Sequence, residues 1–573
     1  MDIFLIDGIG PFFKQYKKRR INWSKIPFHM LSDDVETCTK QFSEIAQDTE
    51  IFTQRVRAVG YNSISFDDVA HLATDPWLEP EVNQRIELLR IQYQQLFSIC
   101  QCSQLDVYLT MDVLSLTERL KARIGNNKEL AVQFLERQVI SVLDCFPNLA
   151  GIILRIGECD GTDVRGVFNS ELLIETPGQA NKLIHRLLKI FEARRKYLIL
   201  RTWTVGAYPV GDLIWHRRTS ARVLKNIDSD YFILSMKYGE SDFFRYLPLN
   251  KLFFQLDIKK IVELQAKREY EGCGEYPSFI GWDYEEYAQQ LDGAKNVVGI
   301  SVWCQTGGWV PFRRLSYLEP AGIWNELNAY LCIKLFKDRQ SVAQAVTGFA
   351  GLIGGVDAQK LLRLLELNDQ VIKELLYIQE LAEQKYFFRR VRIPPLISVM
   401  WNNIFINDSV RTLLRAFIDD GEPCIARGYA ALAKIKEMER LAAQMNLPVE
   451  DFRFMHDTFS ILALARDYYF RPYREDIRQE IKAQKRRYKK RYPKRLRPRY
   501  RVKTNFTPFV LKRRHLKWLM NVALRKKRGY RVLDHLVTIN FLGYFYRFLV
   551  RLKPKIIPKF ARKQAMGIET IFK

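Results

Sequence analysis

Between Tyr61 and Trp303 the chain repeats one pattern: a short apolar run that stops on charged or aromatic side chains, followed by a longer segment of helical character. The clearest run is Gly151–Glu158 (GIILRIGE). The others are Tyr61–Phe66 before Asp67 and Asp68, Leu105–Thr110 before Asp112, Tyr197–Trp203, Tyr231–Lys237, Ile261–Lys267 and Val297–Trp303. Continuous runs of β-branched and aliphatic residues are the signature of strands covered on both faces. Helix-length segments such as Glu129–Phe146 and Ala180–Arg195 lie between them, which implies crossover connections and a parallel sheet. With a less clear first strand near Ile21–Leu31, the count reaches eight and predicts a (β/α)8 barrel of the α/β class. A doubly wound open sheet is the alternative.

A barrel gathers strand ends at one mouth, where chemistry collects. Asp67, Asp112, Glu158, Trp203, Lys237 and Trp303 would all project there. Carboxylates beside flat aromatic faces suit a carbohydrate, which needs proton transfer and a surface for the apolar side of a sugar ring. Any one of these tryptophans taken alone is better explained as core packing; their common position at strand ends is what favours a site.

The 573 residues exceed one ordinary domain, and 47% hydrophobic content supplies a large core. The net charge of +26 is not spread evenly. From Arg471 onward there are 33 Lys and Arg against 5 Asp and Glu, leaving 57 against 59 before it. Residues 1–338 are therefore read as the barrel, 339–470 as a helical domain with breaks at Pro394, Pro395 and Asp419, and 471–573 as a basic tail. The end of the tail places Phe541, Phe545, Phe548, Leu549 and Leu552 on one helical face, too short and too charged to span a bilayer but suited to its interface. Three readings stay open for the tail: an anionic membrane surface, nucleic acid, or packing back on the protein. Nine scattered cysteines fit free thiols better than a disulfide framework. The N-terminus is unlike a secretory signal. A cytoplasmic location, with peripheral attachment at the inner membrane face, is the expectation.

Glycoside hydrolysis uses two carboxyl groups, one protonated and one ionised. Asp242 and Glu269 are candidates to accompany Glu158. Four stretches resemble the inverting α-glucuronidases of glycoside hydrolase family 67: IILRIGECDG with QANKLIHRLLKIFE, LILRTW, ILSMKYGESDF, and LQAKREYEG followed by VVGISVW and WNELNAYLCIKLFKD. The resemblance covers Tyr61 to Asp338 and implies Glu158 as general acid, with Asp242 and Glu269 ionised and holding the water. Arg155, Arg201 and Lys237 would bind a substrate carboxylate or pair with the acids, and Asp67, Asp112, Trp203 and Trp303 would line the sugar. Glu240, Glu271 and Glu275 offer competing assignments. No metal or other cofactor is expected, and nucleic acid is the less favoured partner. The alternative function is a non-catalytic glycan-binding scaffold of polysaccharide assembly, docked at a membrane.

Overall fold

The computed structural model describes residues 1–16, 21–22, 25–156, 166–171, 173–202, 219–307, 309–388, 391–509, 512–527 and 532. Its centre is a closed eight-stranded parallel barrel, the (β/α)8 architecture. In chain order the strands are β1 (Ile3–Asp7), β2 (Ser63–Phe66), β3 (Asp106–Val113), β4 (Gly151–Ile156), β5 (Tyr197–Arg201), β6 (Phe232–Lys237), β7 (Lys259–Gln265) and β8 (Val297–Trp303). β1 closes the ring by pairing with both β8 and β2. The first strand is thus not near Ile21–Leu31. Ile21–Asn22 pairs antiparallel with Trp309–Val310 outside the barrel. The true first strand, IFLID, follows the pattern of the other seven, an apolar run closing on charged or aromatic residues, here Asp7.

Alternation along each strand explains why polar residues collect at one end. Side chains of period two share a face. Near the N-terminal ends, Ile3, Leu5, Tyr108, Ile153, Ile199, Ile233 and Ile261 form a separate buried cluster that fills the barrel. Two positions further along, the same inward rows carry Asp7, Thr110, Arg155, Arg201, Ser235 and Glu263, all buried. The intervening residues, among them Phe4, Ile64, Leu109, Leu154, Leu200, Leu234, Val262 and Ile300, join the outer core under the helices. Helices at Val35–Val59, Pro80–Cys102, Lys128–Cys145 and Pro177–Arg194 supply that cover, the last closed by a capping box between Thr176 and Gln179.

After the barrel, helices dominate: Val342–Ile353, Ala358–Val371, Glu422–Gln444 and Val449–Phe470 pack on one another. The region is not purely helical as expected. It holds two small three-stranded sheets, and each is completed from beyond Phe470: Arg501–Asn505 pairs with Asn403–Asn407, and Leu524–Arg525 with Phe387–Phe388. The boundary read at Arg471 from charge therefore does not separate the first part of the basic segment from the fold. Helix Glu475–Arg491 buries Ile477, Ile481 and Tyr488 against it. Tyr500 is buried, its hydroxyl 2.8 Å from that of Tyr276 in a barrel loop. Arg497 donates to Asp451 at 3.1 Å and lies over the Phe454 ring. Tyr488, Tyr492 and Tyr500 face in while most of the cations around them stay exposed or half-buried, which a charge count alone does not reveal. The proposed interfacial face at Phe541–Leu552 lies outside the described residues. Among the described residues no helix is long and apolar enough to cross a membrane.

Candidate active site

β6 and β7 carry the carboxylates that the structure brings together. Lys237, the last residue of β6, points inward and its ammonium holds Asp242 at 2.7 Å. The backbone N–H of Phe243 donates to the same Asp242 oxygen at 2.9 Å, and the Tyr270 hydroxyl donates to the other at 2.7 Å. Burial pushes Asp242 up, but the Lys237 charge and these three donors outweigh it and leave its pKa below the usual carboxylate value. Glu269 behaves oppositely. Burial, then the negative charge of Asp242, raise it to about 8, against smaller lowering effects from a Tyr270 hydrogen bond and from Lys237 and Lys267. Tyr270 thus bridges the two carboxyls. Its ring is fixed by stacking on Phe244 at 4.3 Å between centroids, and the Glu269 backbone N–H is tied to Gln265 at 3.1 Å. The Lys237 and Tyr270 contacts favour the ionised form of Asp242, while burial and the nearby Asp242 charge favour the protonated form of Glu269, where the sequence resemblance implies both ionised.

The remaining strand-end residues form two further groups. Glu263, an inward residue of β7 that is not among the sequence candidates, accepts both contacts of Arg201 Nε at 3.0 Å, the Ser235 hydroxyl at 2.7 Å and the Trp303 indole N–H at 3.2 Å. The Arg201 guanidinium also lies 4.5 Å from the Trp303 ring centre. On the other side, Arg155 Nε sits 2.7 Å from Asp112, and Lys25 bonds both Asp112 and Asp68, the latter at 2.8 Å. Asp67 accepts from Thr110 at 2.6 Å and from the Ile26 backbone at 2.8 Å, so it ties the segment after β1 to the end of β2 and to β3. Burial raises its pKa. Asp67 follows β2 and Asp112 stands near the end of β3, and both are committed to protein partners. Among the described residues Lys237 pairs with a candidate catalytic acid, Asp242, whereas Arg155 pairs with Asp112 and Arg201 with Glu263. Glu158 and Trp203 lie outside the described residues.

Two of the competing acids are structural. Glu271 is held well below its ordinary pKa, because Arg245 and Arg268 overcome its burial, and it also accepts from Ser278 and Tyr377. Arg245 continues to Asp283 and Asp369, which locks the barrel loops to the helical region. Glu275 pairs with Arg314 at 3.3 Å and Arg497 at 3.5 Å. Asp7 closes the ring by accepting backbone N–H groups of Cys304, Gln305 and Thr306. Glu263 is legible in the sequence as a lone acid in an apolar strand at an inward register, and Tyr270 as the neighbour of Glu269. Lys25 and Trp401, which reaches the site from the helical region, give no local signal. Among the described residues no cluster of metal-ligand type occurs.

Glu263→Gln is expected to destabilise the fold by about 3–5 kcal/mol, since the Arg201 charge stays buried after its carboxylate is gone. Chemical denaturation with urea checks this; a change below about 1 kcal/mol would show that Glu263 is not the charge partner the barrel depends on.

No protein-family model matches the chain, and no curated protein does. Solved structures align with it at low identity. A GH138 enzyme targeting pectin rhamnogalacturonan II aligns with TM-score 0.49 and 11% identity over 86% of this chain and 62% of that one. CpGH84B aligns at 0.37 and 8% over 78% and 70%, and a mutant Thermobaculum terrenum O-GlcNAc hydrolase at 0.39 and 10% over 80% and 88%. The chain spans less than two thirds of the GH138 structure. These neighbours are glycoside hydrolases, and all three scores lie below 0.5. The chemistry has to come from the side chains at the mouth.

Proposed function

We propose that the protein hydrolyses a glycosidic bond, using Asp242 and Glu269 as its acid/base pair. The observation that carries this reading is the placement of two neighbouring carboxyls at the mouth of a parallel barrel, Asp242 half-buried and held by Lys237 and Tyr270, and Glu269 buried, with surroundings that push their pKa values in opposite directions. Pairs whose environments drive their pKa values apart mark acid and base assignments. Asp242, ionised and fixed by Lys237 and Tyr270, is the group that activates water. Glu269 holds a proton near neutral pH and supplies or receives it during turnover. The resemblance to α-glucuronidases adds Glu158 as the acid on the leaving-group side, with inversion at the anomeric carbon. In that case the Asp242–Glu269 pair acts together on the water.

The substrate class is a uronic-acid-containing or other cell-surface glycan. The ion pairs at Arg155, Arg201 and Lys237 favour a neutral sugar at the reacting position over a uronate, because a substrate carboxylate would compete with buried carboxylates already in place. Matched 4-nitrophenyl glucosides and glucuronides test this: faster cleavage of the neutral sugar is expected, and cleavage of the glucuronide alone would overturn it.

We also propose peripheral attachment to an anionic, cytoplasmic membrane face. The part of the basic segment available for it begins near Lys512, since residues up to Asn505 are built into the fold. On helix Arg513–Ala523, Trp518 is 67% exposed and Leu519 and Val522 lie beside it in the open, flanked by Arg514 and Lys517. Apolar side chains plus cations are the two signals that together hold a protein at an interface. Trp518→Ala with Leu519→Ala is expected to reduce pelleting with phosphatidylserine vesicles at least 5-fold at low salt. Unchanged pelleting, or equal binding to DNA, would sink the membrane assignment. The scaffold alternative differs only in lacking turnover.

A further inference from the structure

The helical region sends one hairpin to the barrel mouth. Val399–Met400 and Asn403–Asn407 pair antiparallel, with Val399 opposite Ile404 and Met400 opposite Asn403, so Trp401 and Asn402 form a two-residue turn. Trp401 sits there at φ +49°. A bulky residue in the left-handed region is a genuine outlier, for which glycine or asparagine would be cheaper. Such strain persists where the surroundings enforce it, and it concentrates at functional sites. The surroundings here are unusually firm. Asn403–Asn407 pairs over its whole length with Arg501–Asn505, and Ile404 and Ile406 are fully buried. The hairpin is therefore braced by the basic segment that charge alone sets apart as a tail.

What the turn presents is an indole beside Tyr270, a residue that holds Asp242. The Trp401 ring lies 6.5 Å from the Tyr270 ring and within 23° of parallel to it, and the Tyr270 hydroxyl is the group that holds Asp242. Trp401 is only half buried. Trp401 packs on the edge of the core, where Tyr270 has its closer stacking partner in Phe244, and it keeps part of its surface exposed. A flat amphipathic ring next to acid/base carboxyls is what the apolar C–H face of a pyranose needs.

We propose that Trp401 is a sugar-binding platform, contributed by the helical region, for a pyranose seated next to the Asp242–Glu269 pair. This rests on the glycosidase reading for its neighbour but not for its test. Saturation-transfer NMR with methyl glycosides of glucose, galactose, xylose, rhamnose and glucuronic acid reads binding directly. Transfer to ring C–H protons is expected for at least one glycoside with wild type and with Glu269→Gln, weakened at least 10-fold in Trp401→Ala and largely kept in Trp401→Phe. In the wild-type protein the indole N–H signal absent from Trp401→Phe should shift on adding that sugar, which keeps the test open if Trp401→Ala folds poorly. Binding by none of the five, equal binding by Trp401→Ala, or an unmoved indole signal overturns the proposal. If Trp401→Ala loses binding while no glycoside is hydrolysed, the platform stands and the glycosidase reading fails. Hydrolysis with undiminished binding by Trp401→Ala gives the converse.

Discussion

Asp242→Asn is expected to lower glycoside hydrolysis by about 10²–10⁴-fold, the usual contribution of a positioned acid or base, while the protein stays folded. The amide cannot accept the proton of the attacking water. It also removes the negative charge that, after burial, is the next largest influence holding Glu269 at about 8, so the alkaline limb of the pH–rate profile should move to lower pH. Glu269→Gln should cost a comparable factor and remove that limb altogether. The sign of the stability effect comes from the same shift. A carboxyl whose folded pKa lies above its unfolded value binds more protons folded than unfolded, so its contribution weakens as pH rises from the ordinary carboxylate range through about 8. Thermal unfolding of wild type should show a loss across that window that Glu269→Gln lacks. If both variants hydrolyse at wild-type rates, the pair is not the catalytic centre.

Truncation after Phe470 is expected to unfold the protein. Sequence charge argues the opposite, because a segment with 33 basic and 5 acidic residues looks detachable. The structure shows what would leave with it: the buried side chains of Ile477, Ile481, Tyr488, Tyr492, Tyr500 and Val502, and the strand that completes the sheet carrying Trp401. At about 1.5–3 kcal/mol for each buried apolar side chain, their sum rivals the roughly 5–15 kcal/mol that holds a typical fold together. A chain ending after Phe509 keeps all of them and should remain soluble and cooperative, losing only the exposed helix at Arg513–Ala523, the edge strand Leu524–Arg525 and the residues C-terminal to it. Expression of both truncations, with size-exclusion chromatography and circular dichroism on each, decides the matter. A folded, monodisperse chain ending at Phe470 would show that the basic segment is an appendage after all.

Both expectations also mark how far the sequence carries. Seven of the eight strands, the parallel order and the placement of acids at one mouth are legible from apolar runs and their polar stops, because burial on both faces leaves an unmistakable composition. β1 is obscured because Asp2, Asp7 and nearby glycines make Ile3–Asp7 look like a leader. Asp242 and Glu269 lie in loops, where composition is nearly silent, so only the family likeness singles them out. The opposite directions of their pKa shifts are invisible in sequence: they depend on Lys237 and Tyr270 reaching one carboxyl and burial dominating the other. Pairing is equally hidden. Nothing local to Arg155, Arg201 or Lys237 says that each meets a carboxylate, or that Arg501–Asn505 returns to brace a hairpin far earlier in the chain.

The most direct test of the account is to incubate the full-length protein with a panel of α- and β-4-nitrophenyl glycosides and track the released sugar by ¹H NMR. Hydrolysis of at least one member by wild type is expected, with the first product formed in the inverted anomeric configuration and release slowed by about 10²–10⁴-fold in folded Asp242→Asn. A folded protein that binds a sugar of the panel yet cleaves none, or an Asp242→Asn variant as fast as wild type, would contradict it.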